Sequence, residues 1–205
     1  MAAQQHSFEA LKRYLPPGSF ELVMPLILDH KVHLVISRER QTKLGDFRHA
    51  FRGNNHRISV NGNLNTYAFL ITLLHELAHL LAYQRYGHRI QPHGKEWKHT
   101  YSQVLAHFLQ ATIFPPDVAA ELQAMLHNPA ASSSAEDGLQ RVLRRYDVRK
   151  PGMLTVEEVA PGQVFRLADG RKFIRGEQLR KRIKCIEMPA NKVYLFHPLY
   201  EVQAV

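Results

Sequence analysis

The sequence reads as an α+β protein in which a small sheet packs with helices and a small all-β module follows. Three observations predict this. An apolar run from Tyr67 to Ala82 is long enough for a core helix and carries His75-Glu-Leu-Ala-His79 at its centre. Runs rich in Val, Ile and Leu precede it at Val32–Ser37 and Ile58–Val60, as strands would. Past a Ser/Ala-rich stretch the hydrophobic period changes to two, which is the signature of sheet.

The elements follow in order. Phe8, Leu11 and Leu15 fall on one helical face, and Pro16-Pro-Gly18 ends that helix. Glu21–Leu28 is a second helix. The strands Val32–Ser37 and Ile58–Val60 are joined through a basic, glycine-containing connection, Arg38 to Arg57. Thr66 is the expected N-cap of the long apolar helix and Gly87 its C-cap. Trp97, Tyr101, Val104 and Phe108 recur at spacings of four, three and four, which makes one apolar helical stripe. Asp117, after Pro115-Pro116, is expected to cap a last short helix through Leu126.

The stretch Asn128-Pro-Ala-Ala-Ser-Ser-Ser-Ala-Glu-Asp-Gly138 reads as a linker. The expected division is a domain over residues 1–128, a linker over 129–140 and a β module over 141–205. Within the module, Val164–Arg175 reads as a hairpin turning at Asp169-Gly170 in a type I′ turn. Arg182–Glu187, Lys192–Phe196 and Leu199–Val202 continue it as an antiparallel sheet or barrel of four or five strands.

Composition narrows the function classes. The 205 residues are 45% hydrophobic and 22% charged, as in an ordinary globular chain. The longest apolar run holds His, Glu and His at its centre, which marks a core helix and argues against a membrane span. Met1-Ala-Ala-Gln-Gln-His-Ser7 has neither the basic nor the apolar region of a secretory signal. Cys185 is the one cysteine, so no intramolecular disulfide and no cysteine-based zinc site can form, and a cytoplasmic location is expected. The charge is uneven. Residues 1–138 hold 13 Lys/Arg against 11 Asp/Glu, whereas residues 139–205 hold 14 against 7.

The chemistry concentrates on the apolar helix. Positions i and i+4 are neighbours on one helical face, so His75 and His79 can grip one metal ion. Glu76, one residue further round, is placed to act as a base on water at that metal and not to bind it. A carboxylate and two imidazoles inside an apolar helix are costly to bury uncompensated, and a metal would compensate them. A catalytic zinc usually takes three protein ligands and leaves one position open. His88, His93, His99 and His107 lie downstream. His93 opens Pro92-His-Gly-Lys-Glu-Trp97 at the start of the next helix and can point back at the first. His88 follows the Gly87 C-cap, which suits it less.

His75-Glu-Leu-Ala-His79 followed by His93-Gly-Lys-Glu-Trp97 resembles the SprT-like metalloproteases, the family of the bacterial SprT proteins and, more distantly, the eukaryotic DNA–protein-crosslink protease Spartan. The likeness takes in Val32-His-Leu-Val-Ile-Ser37 and Arg57-Ile-Ser-Val-Asn-Gly-Asn-Leu-Asn65 and covers roughly residues 8 to 127. It implies one Zn2+ held by His75, His79 and His93, with Glu76 as general base, in an endopeptidase acting on protein or peptide substrates. The C-terminal zinc ribbon common in that family is missing, because its four cysteines are missing.

Two functional classes follow. The first is a zinc endopeptidase, acting on nucleic-acid-associated proteins if the basic module binds DNA or RNA. The second is a nucleic-acid-binding protein whose zinc site is structural or inactive. The intact Glu76 favours the first, since a structural site has no use for it. Arg171, Lys172, Arg175, Arg180, Lys181, Arg182 and Lys184 are the candidate phosphate contacts. Few aromatic residues lie among them to stack bases.

Overall fold

The computed structural model describes residues 8–40, 42–51, 53–129, 137–148 and 150–205. The chain divides into two compact units, Met1–Asp147 and Val148–Val205.

In the first unit, Ala10–Tyr14 is a 3-10 helix that buries Leu11. It is followed by α1 (Phe20–Asp29) and by three short strands, β1 (His33–Ser37), β2 (Gly45–Arg48) and β3 (Arg57–Asn61). The sheet order is β1-β3-β2, with β1 parallel and β2 antiparallel to β3. β2 lies inside the stretch read from sequence as a connection between two strands. Its alternation is only four residues long and opens on glycine, too little for periodicity to register. Helices α2 (Thr66–Tyr86), α3 (Lys95–Gln110), α4 (Pro116–Met125) and α5 (Asp137–Leu143) complete the unit.

α2 is the axis of the core. Phe69, Leu70, Ile71, Leu73, Leu74, Leu77, Ala78, Leu80 and Ala82 are all fully buried along it. By length and composition this 21-residue helix qualifies as a membrane span. It is instead covered by the sheet, the 3-10 helix and α3.

Two caps differ from expectation. The N-cap of α2 is Asn65 and not Thr66, with Asn65 Oδ1 accepting from Ala68 N–H at 2.9 Å. α4 starts on the Pro115-Pro116 pair, and Asp117 sits inside its first turn. The Asp117 carboxylate accepts from Val118 N–H, the Tyr146 hydroxyl and Arg145, so it ties α4 to the chain after α5. Gly87 is the C-cap of α2 as expected, with φ +78°.

The boundary between the units also moves. The proposed linker falls largely on residues 130–136, which lie outside the described residues. α5 follows it at once, with Leu139, Val142 and Leu143 in the core of the first unit. Asn65 Nδ2 donates to Leu143 O at 3.1 Å and to Asp147 Oδ1 at 2.6 Å, so this segment is fastened to the start of α2. The second unit therefore begins at Val148 and not at residue 141.

That unit is a six-stranded antiparallel sheet with the order β4-β9-β5-β6-β7-β8. Its strands are β4 (Met153–Thr155), β5 (Val164–Arg166), β6 (Lys172–Gln178), β7 (Ile183–Met188), β8 (Val193–Phe196) and β9 (Glu201–Ala204). One strand exceeds the expected range because β4, only three residues long, gives no periodic signal. The β5–β6 hairpin forms, but Leu167 N–H pairs with Arg171 O and Gly170 N–H with Leu167 O. This is a three-residue loop in which Gly170 has φ +89° while Asp169 is not among the residues with positive φ. A type I′ turn needs positive φ at both central residues, so it is excluded. Phe165 and Phe173 stack at 5.6 Å in the core of this unit, where Cys185 is buried as a small apolar residue.

Asn65 links the cap of α2 to the last segment of its unit. Asn65→Ala is expected to lower the unfolding free energy by about 1–2 kcal/mol, read as a shifted midpoint in denaturant titration with unchanged slope.

Candidate metal centre

Helix geometry, one strained residue and an aromatic floor assemble the site. His75 and His79 stand one turn apart on α2. His93 comes from the loop before α3 and adopts φ +58°, a left-handed conformation uncommon for a side chain larger than glycine. Gly94 then caps α3, with its N–H held by Gln91 O at 2.9 Å. The turn brings the third imidazole back over α2. Strain of this kind persists where surrounding structure holds it.

The three Nε2 atoms form a nearly equilateral triangle. His75 to His93 is 3.1 Å, His79 to His75 is 3.2 Å, and His79 to His93 is 3.0 Å. Nitrogens bound to one tetrahedral zinc at about 2.0–2.1 Å would lie roughly 3.3–3.4 Å apart. The triangle therefore fits a single ion with a small expansion. Among the described residues, the metal-competent group comprises these three alone. His88, His99 and His107 are exposed and do not join it.

Trp97 forms the floor, with its ring 4.6 Å from His75, 5.1 Å from His79 and 4.7 Å from His93. Its buried Nε1–H has no hydrogen-bond partner. Tyr101 stacks on Trp97 at 4.9 Å and meets His75 edge-on at 5.5 Å. Among Tyr67, Tyr83, Tyr101 and His107, whose hydroxyl or imidazole groups are the kind that can donate to an oxyanion, Tyr101 alone has ring contact with a site histidine. Tyr67 packs on Tyr146, Tyr83 on Phe47, His49 and His56, and His107 on Phe108.

Glu76 is 7% exposed and faces β2. It accepts a hydrogen bond from Phe47 N–H, while Gly45 lies so close that a Cβ there would meet Glu76 Oε1 and Thr72 Cγ2. Gly45 and Phe47 are the partners that sequence reasoning missed, because the strand carrying them was missed. The Arg40 guanidinium fixes the approach to β2. It donates to Asn61 Oδ1, Ser59 Oγ and Leu44 O, and Asn61 Nδ2 returns bonds to Arg40 O and Lys43 O.

Burial dominates the electrostatics. In the metal-free protein it pushes Glu76 up to about 8, with the Asp46 charge adding to it and Arg40 and Lys43 opposing. Burial also lowers His75 to about 3 and His79 to about 4, with neighbouring imidazoles contributing. His93 is lowered as well, by burial first and Lys98 second. Neutral imidazoles are the form that binds metal.

The candidate phosphate contacts of the second unit do not form one surface. Arg171 is ion-paired to Asp169 at 2.8 Å and lies 3.6 Å from Glu187. Arg175 opposes Cys185 on the core side, with its Nε buried and without a hydrogen-bond partner. Lys184 lies 3.5 Å from Glu177. Lys172 and the turn residues Arg180, Lys181 and Arg182 are exposed.

Comparison with known proteins agrees with the motif. Residues 19–119 match the SprT-like family. Two proteins called Protein SprT are similar over short stretches. The one from Pseudomonas fluorescens strain Pf-5 is 60% identical over 35 residues, 17% of this chain and 21% of that protein. The one from Glaesserella parasuis is 64% identical over 31 residues, 15% of this chain and 19% of that protein. The matched stretches thus span about a fifth of these relatives. No solved structure matches the chain.

Two outcomes follow from this geometry. Gly45→Ala should lower stability by about 1–3 kcal/mol, since the added methyl must displace β2 or the Glu76 carboxyl; a denaturation midpoint equal to wild type would contradict that contact. The second concerns pH in metal-free protein. Neutral Glu76 favours the fold, so its contribution is complete below its ordinary value of 4.5 and lost as pH rises through about 8. The histidine contribution has the opposite sign, being present above 6.5 and lost as pH falls towards 3 or 4. In chelator-treated samples Glu76→Gln should therefore gain melting temperature relative to wild type between about pH 5 and about pH 8. A difference independent of pH would contradict the burial assigned to Glu76.

Proposed function

Residues 19–119 of this chain belong to the SprT-like family, and from that premise we propose that the chain is a zinc-dependent metalloendopeptidase. The observation that carries the reading is the Nε2 triangle of His75, His79 and His93 with Glu76 adjacent in sequence and outside the triangle. Three imidazoles suit zinc, and a three-ligand site leaves a position for water, where a structural zinc would be closed by a fourth ligand. When bound, zinc supplies Lewis acidity, lowering the pKa of water and polarising a carbonyl.

The chain's own residues supply the rest. Glu76 is the base: its carboxylate takes a proton from the attacking water and can return it to the departing amine. Burial favours its neutral form, and a nearby cation would favour the ionised form that a base requires. The Phe47 N–H and the Gly45 backbone orient that carboxylate. Trp97 and Tyr101, both buried, pack against the imidazole rings. Glu76 favours this reading over a purely structural site, which needs histidines and no buried carboxylate.

Purified protein should hold about one zinc per chain, and His93→Ala should lose most of it. Glu76→Gln should retain zinc and lose turnover of an unfolded protein such as casein by several orders of magnitude. Elemental analysis and a proteolysis assay read the two results, and equal activity in wild type and Glu76→Gln would reject the mechanism.

A further inference from the structure

The outer face of the second unit's sheet carries an apolar row that lies outside that unit's own core. Val164, Ile174, Ile186 and Val193 oppose one another directly across β5, β6, β7 and β8. Their chain neighbours Phe165, Phe173, Cys185 and Tyr194 turn to the opposite face and pack in the core. None of the four row residues belongs to the core of their own unit or packs against it. Val193 is 56% exposed, and Leu195 and Met188 beside the row are 58% and 43% exposed.

Cations border the row. On one side Arg166 and Lys172 are directly opposed, a like-charge pairing that disfavours the sheet. The Arg166 guanidinium is bonded to the neutral amide of Gln203, which leaves its charge uncompensated. On the other side Lys184 opposes Leu195, and its carboxylate partner Glu177 is 3.5 Å away and itself exposed.

We propose that this face docks an acidic, apolar segment of another protein, aliphatic side chains covering the row and carboxylates meeting the cations at its borders. The inference is independent of the metal chemistry. The surface chemistry selects this occupant over three others. A nucleic acid would find no ring to stack on, because Phe165, Phe173, Tyr194 and Phe196 all lie on the core side. A second copy of the chain would set one cationic border against another. A membrane is engaged by apolar groups that project from a helix or loop, whereas Ile174 and Ile186 lie half-buried within a sheet.

The test uses the full chain and a fluorescent helical peptide of about 18 residues with Leu on one face and Glu on the other. A matched peptide carries Lys in place of Glu. The Glu peptide should bind at least about tenfold more tightly than the Lys peptide, with affinity falling as salt rises. Ile186→Asp should weaken binding about tenfold or more. Val193→Ser, at an exposed position where the fold is retained, should weaken it several-fold, and Lys172→Glu should reduce both affinity and salt dependence. Equal binding of the two peptides, binding of neither, or indifference to Val193→Ser and Lys172→Glu would overturn the proposal. So would a dimer dispersed by Ile186→Asp, which would assign the face to a second copy, or co-sedimentation with phosphatidylserine vesicles lost in that variant, which would assign it to a membrane.

Discussion

Burying a carboxylate and two imidazoles in a helix that has almost no solvent face is the constraint on which the rest of the first unit depends. α2 packs apolar side chains all round, so it gains the hydrophobic term of a core element along its whole length. The same burial penalises charge, and the shifts of Glu76, His75 and His79 towards their neutral forms express that penalty. A cation at the three Nε2 atoms would relieve both sides at once. It would give three neutral imidazoles a common partner and the buried carboxyl a positive charge nearby.

The surrounding elements serve this helix. β2 supplies a backbone donor to Glu76 and a glycine that permits the approach. Arg40 and Asn61 hold the segment leading into β2 by bonds to backbone and side chains, so the position of Glu76 is linked to a polar network on the far side of the sheet. α3 contributes Trp97 and Tyr101 under the imidazoles, and its N-terminal loop contributes His93 at a cost in backbone strain. The first unit is thus one helix with a polar centre, and three neighbouring segments shaped to satisfy it.

The second unit is built on another principle. Its core is a few stacked aromatic rings with Cys185, Ile183 and Val202. Its sheet is apolar on both faces where β5 to β8 cross, which a strand covered on one side alone does not require. The positive charge of this region is distributed among ion pairs, the half-buried Arg175 and an exposed turn, and so is less concentrated than the sequence count implies.

The sequence by itself determined α2, its Gly87 stop, the i,i+4 histidines and the apolar stripe of α3, because these depend on helical periodicity and local capping, which are properties of neighbouring residues. Resemblance, read from two short motifs, also selected His93 among four downstream histidines. The tertiary structure alone decided what surrounds Glu76. Gly45 and Phe47 lie some thirty residues away from it in sequence, on a strand whose pairing with β3 no local pattern announces. It also decided the cap, where Asn65 prevails over Thr66 because its amide reaches Leu143 O and Asp147 as well as the helix end. The division of the C-terminal cations between two faces and a turn follows from strand register, and register is set by long-range packing that composition does not contain.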